Sequence, residues 1–159
     1  MIHHLIPRVV AKLMIPFLLL FGLYVQFHGD FGPGGGFQAG VIVAAAFILY
    51  ALVYGLENTQ RALPAPVMAA LMAGGLFLYV GTGFVSTFMG GEFLNYSVLS
   101  SKSDIAGQHL GILVIEFGVG MTVAAVMIAI FKQFAARLHV SFDQELEERG
   151  ILEKADEDT

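Results

Sequence analysis

Four apolar stretches divide this chain, and most charged residues lie between them or beyond the last. The first runs from about Val9 to Phe27, the second from about Gly36 to Leu56, the third from about Pro66 to Met89, and the fourth from about Ile105 to Phe134. A helix that crosses a bilayer needs roughly 20 consecutive, mostly apolar residues, and each stretch supplies them. The second contains no charge, and the fourth is broken only by His109, Glu116 and Lys132. The fourth is also long enough to tilt or to extend beyond the bilayer. The pattern predicts an all-α integral membrane protein with four transmembrane helices. Arg8 and Lys12 ahead of the first apolar run imitate a signal peptide, but no small-residue cleavage site follows them, so this segment is expected to remain as a span.

The joints between spans are equally legible. Phe31-Gly32-Pro33-Gly34-Gly35-Gly36 cannot propagate a helix, because proline lacks a donor and each glycine costs about 1 kcal/mol relative to alanine. Asn58 to Pro66 reads as a short polar loop with two prolines. Gly90 to Asp104 is the longest connection, with Asp104 placed to cap the fourth helix. From Leu138 onward acids alternate with apolar residues, which predicts a short amphipathic helix up to Gly150 and a disordered end from Lys154. The chain thus divides into a transmembrane domain, 1–137, and an acidic cytoplasmic tail, 138–159.

Four spans put both termini on one side, and the distribution of basic residues chooses it. Arg8, Lys12, Arg61, Lys132, Arg137, Arg149 and Lys154 belong to the termini and the second loop, whereas the other two loops hold only Lys102. Both termini are therefore expected in the cytoplasm, with the segments around His28–Gly36 and Gly90–Asp104 outside.

Composition sharpens this picture. Apolar residues make up 57% of the chain and charged residues 13%, with mean hydropathy +0.75. Soluble domains carry about 25% charged residues, so lipid must solvate much of this surface. The net charge of −5 is local: residues 143–159 carry eight acids and two bases, the preceding 142 five acids and six bases. No stretch is basic enough for nucleic acid. The absence of cysteine excludes disulfides and thiolate-bound metals, and neither a metal nor a cofactor is expected.

Few residues carry candidate chemistry. The segment from His28-Gly29-Asp30 through Pro33-Gly34-Gly35-Gly36-Phe37-Gln38-Ala39-Gly40 enters a helix through glycines. Such a loop binds an anion through exposed N–H groups, or simply turns tightly so that the next helix packs closely. No Gly-Lys-Ser/Thr follows, so it is not a phosphate loop, and a structural turn at Pro33, Gly34, Gly35 and Gly36 is the reading adopted. Gly36 and Gly40, like Gly107 and Gly111, have the four-residue spacing that suits close helix contact. Glu116 lies about 16 Å into the fourth helix, where an unpaired carboxylate is expensive in lipid. His109, seven residues earlier, falls on nearly the same face. The pair forms a candidate path for a proton or cation; the alternative is a structural hydrogen bond to another helix. Lys12 is a further path candidate, or a side chain that snorkels to the interface. His28, Asp30 and Glu92 are candidates for the outer mouth, or solvated charges.

The glycine segment resembles the signature of the MnhB, or MrpB, family of subunits in multisubunit Na⁺/H⁺ antiporters of the Mrp type. Gly91-Glu92-Phe93, His109-Leu110-Gly111 and Glu116-Phe117-Gly118 are also similar to that family. The likeness covers roughly residues 10–135; the family's Gly-His order appears here as His28-Gly29, and the acidic tail lies outside it. The resemblance implies a non-catalytic subunit in the cell membrane, surrounded by the lipid bilayer and by other subunits of a hetero-oligomer, that helps form an ion path for Na⁺ and H⁺. The alternatives are the equivalent subunit of an ion-translocating membrane-bound hydrogenase-like complex and a purely structural membrane scaffold. An enzyme acting alone lacks any nucleophile–base constellation.

Overall fold

The computed structural model describes residues 5–29, 32–101 and 103–148. Four helices in it are long and apolar enough to cross a membrane: α1 (Leu5–His28), α2 (Gly36–Tyr54), α4 (Ala65–Phe88) and the first part of α5 (Asp104–Glu148), as far as Leu138. The protein is all-α over the described residues and is a multi-pass membrane protein. A short helix α3 (Leu56–Ala62) and a 3₁₀ turn (Tyr96–Leu99) complete the elements.

The spans follow the apolar runs because nothing else satisfies the backbone in hydrocarbon. Pro16 sits within α1 and leaves the Lys12 carbonyl without its helical donor. Serine and threonine hydroxyls in the spans are satisfied within their own helices. Thr82 donates to the Leu78 carbonyl at 2.7 Å, Ser86 to Thr82 at 2.9 Å, and Thr122 to Gly118 at 3.0 Å.

Two joints differ from expectation. Residues 58–62, expected as part of a polar loop, belong to α3. Gly55, at φ 92°, makes the sharp turn out of α2, Asn58 Nδ2 donates to the Tyr54 carbonyl at 2.7 Å, and Glu57 pairs with Arg61 at 2.7 Å one turn on. Both prolines fall where a helix begins: Pro64 precedes α4 and Pro66 lies in its first turn, where a missing N–H costs no helical bond. At the start of α5, Ser103 is the cap in place of Asp104. Its Oγ accepts from the Ala106 N–H at 3.2 Å, which puts Asp104 inside the first turn, where its charge suits the helix dipole. At the other end α5 runs unbroken to Glu148, so no helix break separates the membrane part from the start of the acidic tail. Residues 149–159 lie outside the described residues.

The helices pack in the order α1, α2, α5, α4, with α1 reaching α5 through only a few residues. The center of this arrangement is α5, and two of its glycines explain why. Gly118 and Gly120 are about 200° apart around the helix. Gly118 backs onto Gly75 of α4, whose carbonyl oxygen lies 2.7 Å from where a Gly118 Cβ would stand. Gly120 backs onto α2, where its carbonyl oxygen lies 2.7 Å from the corresponding point on Gly40. Both neighbors therefore approach the α5 backbone, which raises dispersion contact without bulky side chains. A small cluster of Ala44, Met68, Ala125 and Ile128 fills the space where α2, α4 and α5 meet.

Both ends of the bundle are tied. At one end the Tyr54 hydroxyl donates to the Arg8 carbonyl at 2.9 Å, and Lys132 Nζ donates to the Leu63 carbonyl at 2.8 Å. At the other, the segment between α4 and α5 folds back on the spans. The Tyr96 ring occupies the space over Gly111, the Phe93 ring that over Gly83, and Gln108 Nε2 donates to Ser97 Oγ at 2.9 Å. Burial, followed by the nearby Tyr79, raises the Tyr96 phenol above its ordinary pKa and keeps it neutral. The Gly107/Gly111 spacing thus seats this connecting segment, whereas Gly36 and Gly40 do contact another span.

Candidate functional site

The glycine turn is built around Glu116. After α1 ends at His28, the chain doubles back so that the Gly35 N–H donates to the Val25 carbonyl at 3.2 Å, a full turn inside the end of α1. Gly35 has φ 120°, a conformation open mainly to glycine, and it is the residue from which α2 starts. The next residue, Gly36, lies directly on the backbone of Glu116, where a Cβ would overlap the carbonyl.

This places the half-buried Glu116 carboxylate in a cradle of backbone. One oxygen lies 2.8 Å from where a Cβ on Gly35 would stand, and the other lies 2.8 Å from the corresponding point on Gly29. Any side chain at either position would meet the carboxylate. The start of α2 has no side-chain cap, so its first N–H groups and the positive end of its dipole face the same region as this acid. The glycine turn, the entrance to α2 and the Glu116 carboxylate thus lie side by side.

The other sequence candidates are distributed unevenly. His28 stacks on Tyr24 with ring centroids 5.2 Å apart, and its Nε2 lies 2.8 Å from the Cβ position of Gly32, so it braces the turn that holds Glu116. Pro33 is exposed at the tip, and Gly34 has room only for hydrogen, its Cβ position being 2.8 Å from the Val25 carbonyl oxygen. His109 is exposed, about 10 Å along α5 from Glu116 toward the same end. Glu92 is exposed in the segment after α4. Lys12 lies on an exposed part of α1, about 25 Å along that helix from Gly29, and is not brought to the carboxylate. Asp30 lies outside the described residues. Among the described residues no three His, Cys, Asp or Glu gather as a metal site.

Sequence reasoning missed two participants. Gln26, on α1, is only 7% exposed, and its Oε1 lies 2.8 Å from the Cβ position of Gly120. An amide within an apolar span was the available signal. Gly120, by having no side chain, admits both Gln26 and α2 to the α5 backbone; no motif spacing marked it.

Four apolar spans with few ionizable groups within them define a multi-pass membrane protein, and its class follows from its relatives. Residues 6–129 match the family described as "Domain related to MnhB subunit of Na+/H+ antiporter". The chain belongs to this family and is a non-catalytic membrane subunit of the Mrp type, as the sequence resemblance implied. Among similar proteins are those named "Putative antiporter subunit mnhB2" in Staphylococcus aureus strains Newman, JH1 and USA300. Each is 34% identical over 130 residues, which cover 80% of this chain and 92% of the relative.

Proposed function

We propose that this chain contributes one polar station, Glu116, to the cation path of a multisubunit Na⁺/H⁺ antiporter, and that it does so only within the assembled complex. The observation that carries the reading is the cradle: a carboxylate inside a span, set at the start of α2 against Gly29 and Gly35. Intramembrane acids held in this way mark ion or proton pathways. The site sets a carboxyl group next to backbone dipoles and leaves no room for further side chains, so the occupants that suit it are a proton, a small cation or water. His109 then lies on the approach along α5, with His28 at the mouth.

The chain by itself has too little polar chemistry to move two ions. Expressed without its partner subunits in a sodium-sensitive host, it is expected to confer no sodium resistance. Sodium–proton exchange by the purified, reconstituted chain alone would refute the subunit reading.

The reading also needs an orientation. The seven of eight basic residues at the termini and the α2–α4 connection support an orientation with both termini in the cytoplasm and the glycine turn outside. The chain has no cysteine, so single cysteines report cleanly. Cysteines at Ser101 and Ser141, both exposed, are expected to react with an impermeant thiol reagent from opposite faces of the membrane. Reaction of both from outside would overturn the orientation and the four-span arrangement together.

A further inference from the structure

We propose that Gln26 is the inner polar group of the Glu116 site, holding water between the carboxylate and a cavity framed by α1, α2, α4 and α5. The proposal rests on the reading of Glu116 given above. The cavity has a volume of about 180 Å³ and is lined by Gly22, Gln26, Gly40, Val43, Phe117 and Gly120, among others. Its walls are almost wholly apolar, and Gln26 is the one side chain there with a full set of amide donors and acceptors.

Two observations point from this amide to a ligand. Gln26 is 7% exposed, yet its side chain makes no hydrogen bond among the described residues. No side-chain nitrogen or oxygen there is both sealed and unpaired, so the amide must open onto accessible space, and the space it lines is this cavity. Apolar space stays dry and a water needs polar partners, so water is held only at the end of the cavity where the Gln26 amide and the Gly36 carbonyl both approach Gly120.

The amide and the carboxylate meet through the same two glycines. The point where a Gly120 Cβ would stand is 2.8 Å from Gln26 Oε1 and 3.1 Å from the Gly36 carbonyl oxygen. Gly36 in turn lies on the Glu116 backbone, and Gly120 is one turn, about 6 Å, along α5 from Glu116. Missing side chains at 36 and 120 thus leave a polar step from the acid toward the cavity. Gln26 acts here as a positioning residue: it does not ionize, but it orders the water through which Glu116 exchanges its proton or cation.

The test uses the complete complex in everted vesicles, with exchange normalized to assembled complex. Gln26→Leu, which keeps the volume and removes the amide, is expected to assemble normally, to lower Na⁺-dependent exchange roughly tenfold, equivalent to about 1.4 kcal/mol in the barrier, and to move its pH profile. Gln26→Asn is expected to recover part of both. In a separate variant, Gln26→Cys is expected to react with a small water-soluble methanethiosulfonate, while Phe21→Cys, on the exposed apolar side of α1, remains inert. An unreactive Gln26→Cys, or a Gln26→Leu complex with wild-type exchange and pH profile, overturns the proposal. So does a Gln26→Leu chain that fails to assemble yet exchanges normally per assembled complex, because the amide is then bonded to a neighboring subunit. Loss of exchange in Glu116→Gln with wild-type behavior in Gln26→Leu removes Gln26 alone; wild-type exchange in both removes the reading of Glu116 as well.

Discussion

Glu116→Gln is expected to assemble into the complex at wild-type levels and to lose most Na⁺-dependent exchange. Glutamine has nearly the shape of glutamate and can keep hydrogen bonds, but it cannot carry a negative charge or bind and release a proton. The cradle sharpens the expectation. With both carboxylate oxygens 2.8 Å from the Cβ positions of Gly29 and Gly35, the side chain is held where it stands, so replacing oxygen by an amide nitrogen changes chemistry with little change of shape. A loss of roughly tenfold or more corresponds to at least about 1.4 kcal/mol in the barrier. Glu116→Asp keeps the charge but withdraws it by one methylene, and is expected to retain some exchange with an altered pH dependence. Glu116→Ala removes the group and opens a void against the glycine turn, so it combines lost transport with weakened assembly. The measurement is the Na⁺-dependent ΔpH of everted vesicles, normalized to assembled complex across the working pH range. A purely structural Glu116 predicts the reverse order: a silent Gln and an Ala that harms assembly only. Wild-type exchange by Glu116→Gln would take this residue out of the ion path.

Gly36→Val is expected to have the second large effect, on assembly. The point where a Cβ would stand lies on the Glu116 carbonyl, which is backbone and has no rotamer to give. Helix α2 must move away from α5, and the contact of Gly40 with Gly120, one turn along, opens with it. Overpacking a tight contact costs typically about 1–3 kcal/mol, enough to cut the yield of assembled complex several-fold to a hundredfold. Gly36→Ala is expected to lie between Val and wild type. Gly74→Ala is the control, because its Cβ would meet only the Met121 Cε at 3.7 Å, an ordinary contact. Alanine there is expected to be neutral or stabilizing by up to about 1 kcal/mol, the usual helix preference over glycine. The measurement is the amount of this chain that copurifies with its partner subunits in mild detergent. A Gly36→Val chain that assembles fully but shows a shifted apparent Na⁺ affinity would give the turn a direct binding role in place of a packing role.

Glu116 and the glycine turn were legible as separate features, and each was read for what its residue types can do. Their contact was not. Glu116 follows the turn by about 80 residues, and nothing in the spacing of either says that α2 starts at the level of that carboxylate. The same limit explains Gln26. Its side chain is significant because Gly120, having no side chain, lets it approach the α5 backbone beside the Gly36 carbonyl, and that approach is a property of three helices. The pairs of glycines at four-residue spacing show how far local pattern can be trusted: Gly36 and Gly40 do meet another span, but the identical spacing at Gly107 and Gly111 seats Tyr96 and Ser97. Spacing puts two small residues on one helix face and leaves open what comes to rest there.

What the sequence determined by itself was the solvent and the elements. Four apolar runs with 13% charged residues overall require lipid, and in lipid each run must be a helix, because no other open structure satisfies its backbone. The turns followed from glycine and proline, whose limits are properties of the single residue; the exceptions, α3 and the Ser103 cap, were settled by hydrogen bonds only a few residues long. Tertiary structure decided the rest: that α5 stands between α2 and α4 because Gly118 and Gly120 face opposite ways, that Lys12 lies far from the acid it might have served, and that Glu116 sits in a cradle of glycine backbone with an amide beneath it. The physical reason is range. Solvation and backbone conformation act on each residue where it stands, whereas close approach of two backbones depends on residues distant in the chain that lack side chains at the same point in space.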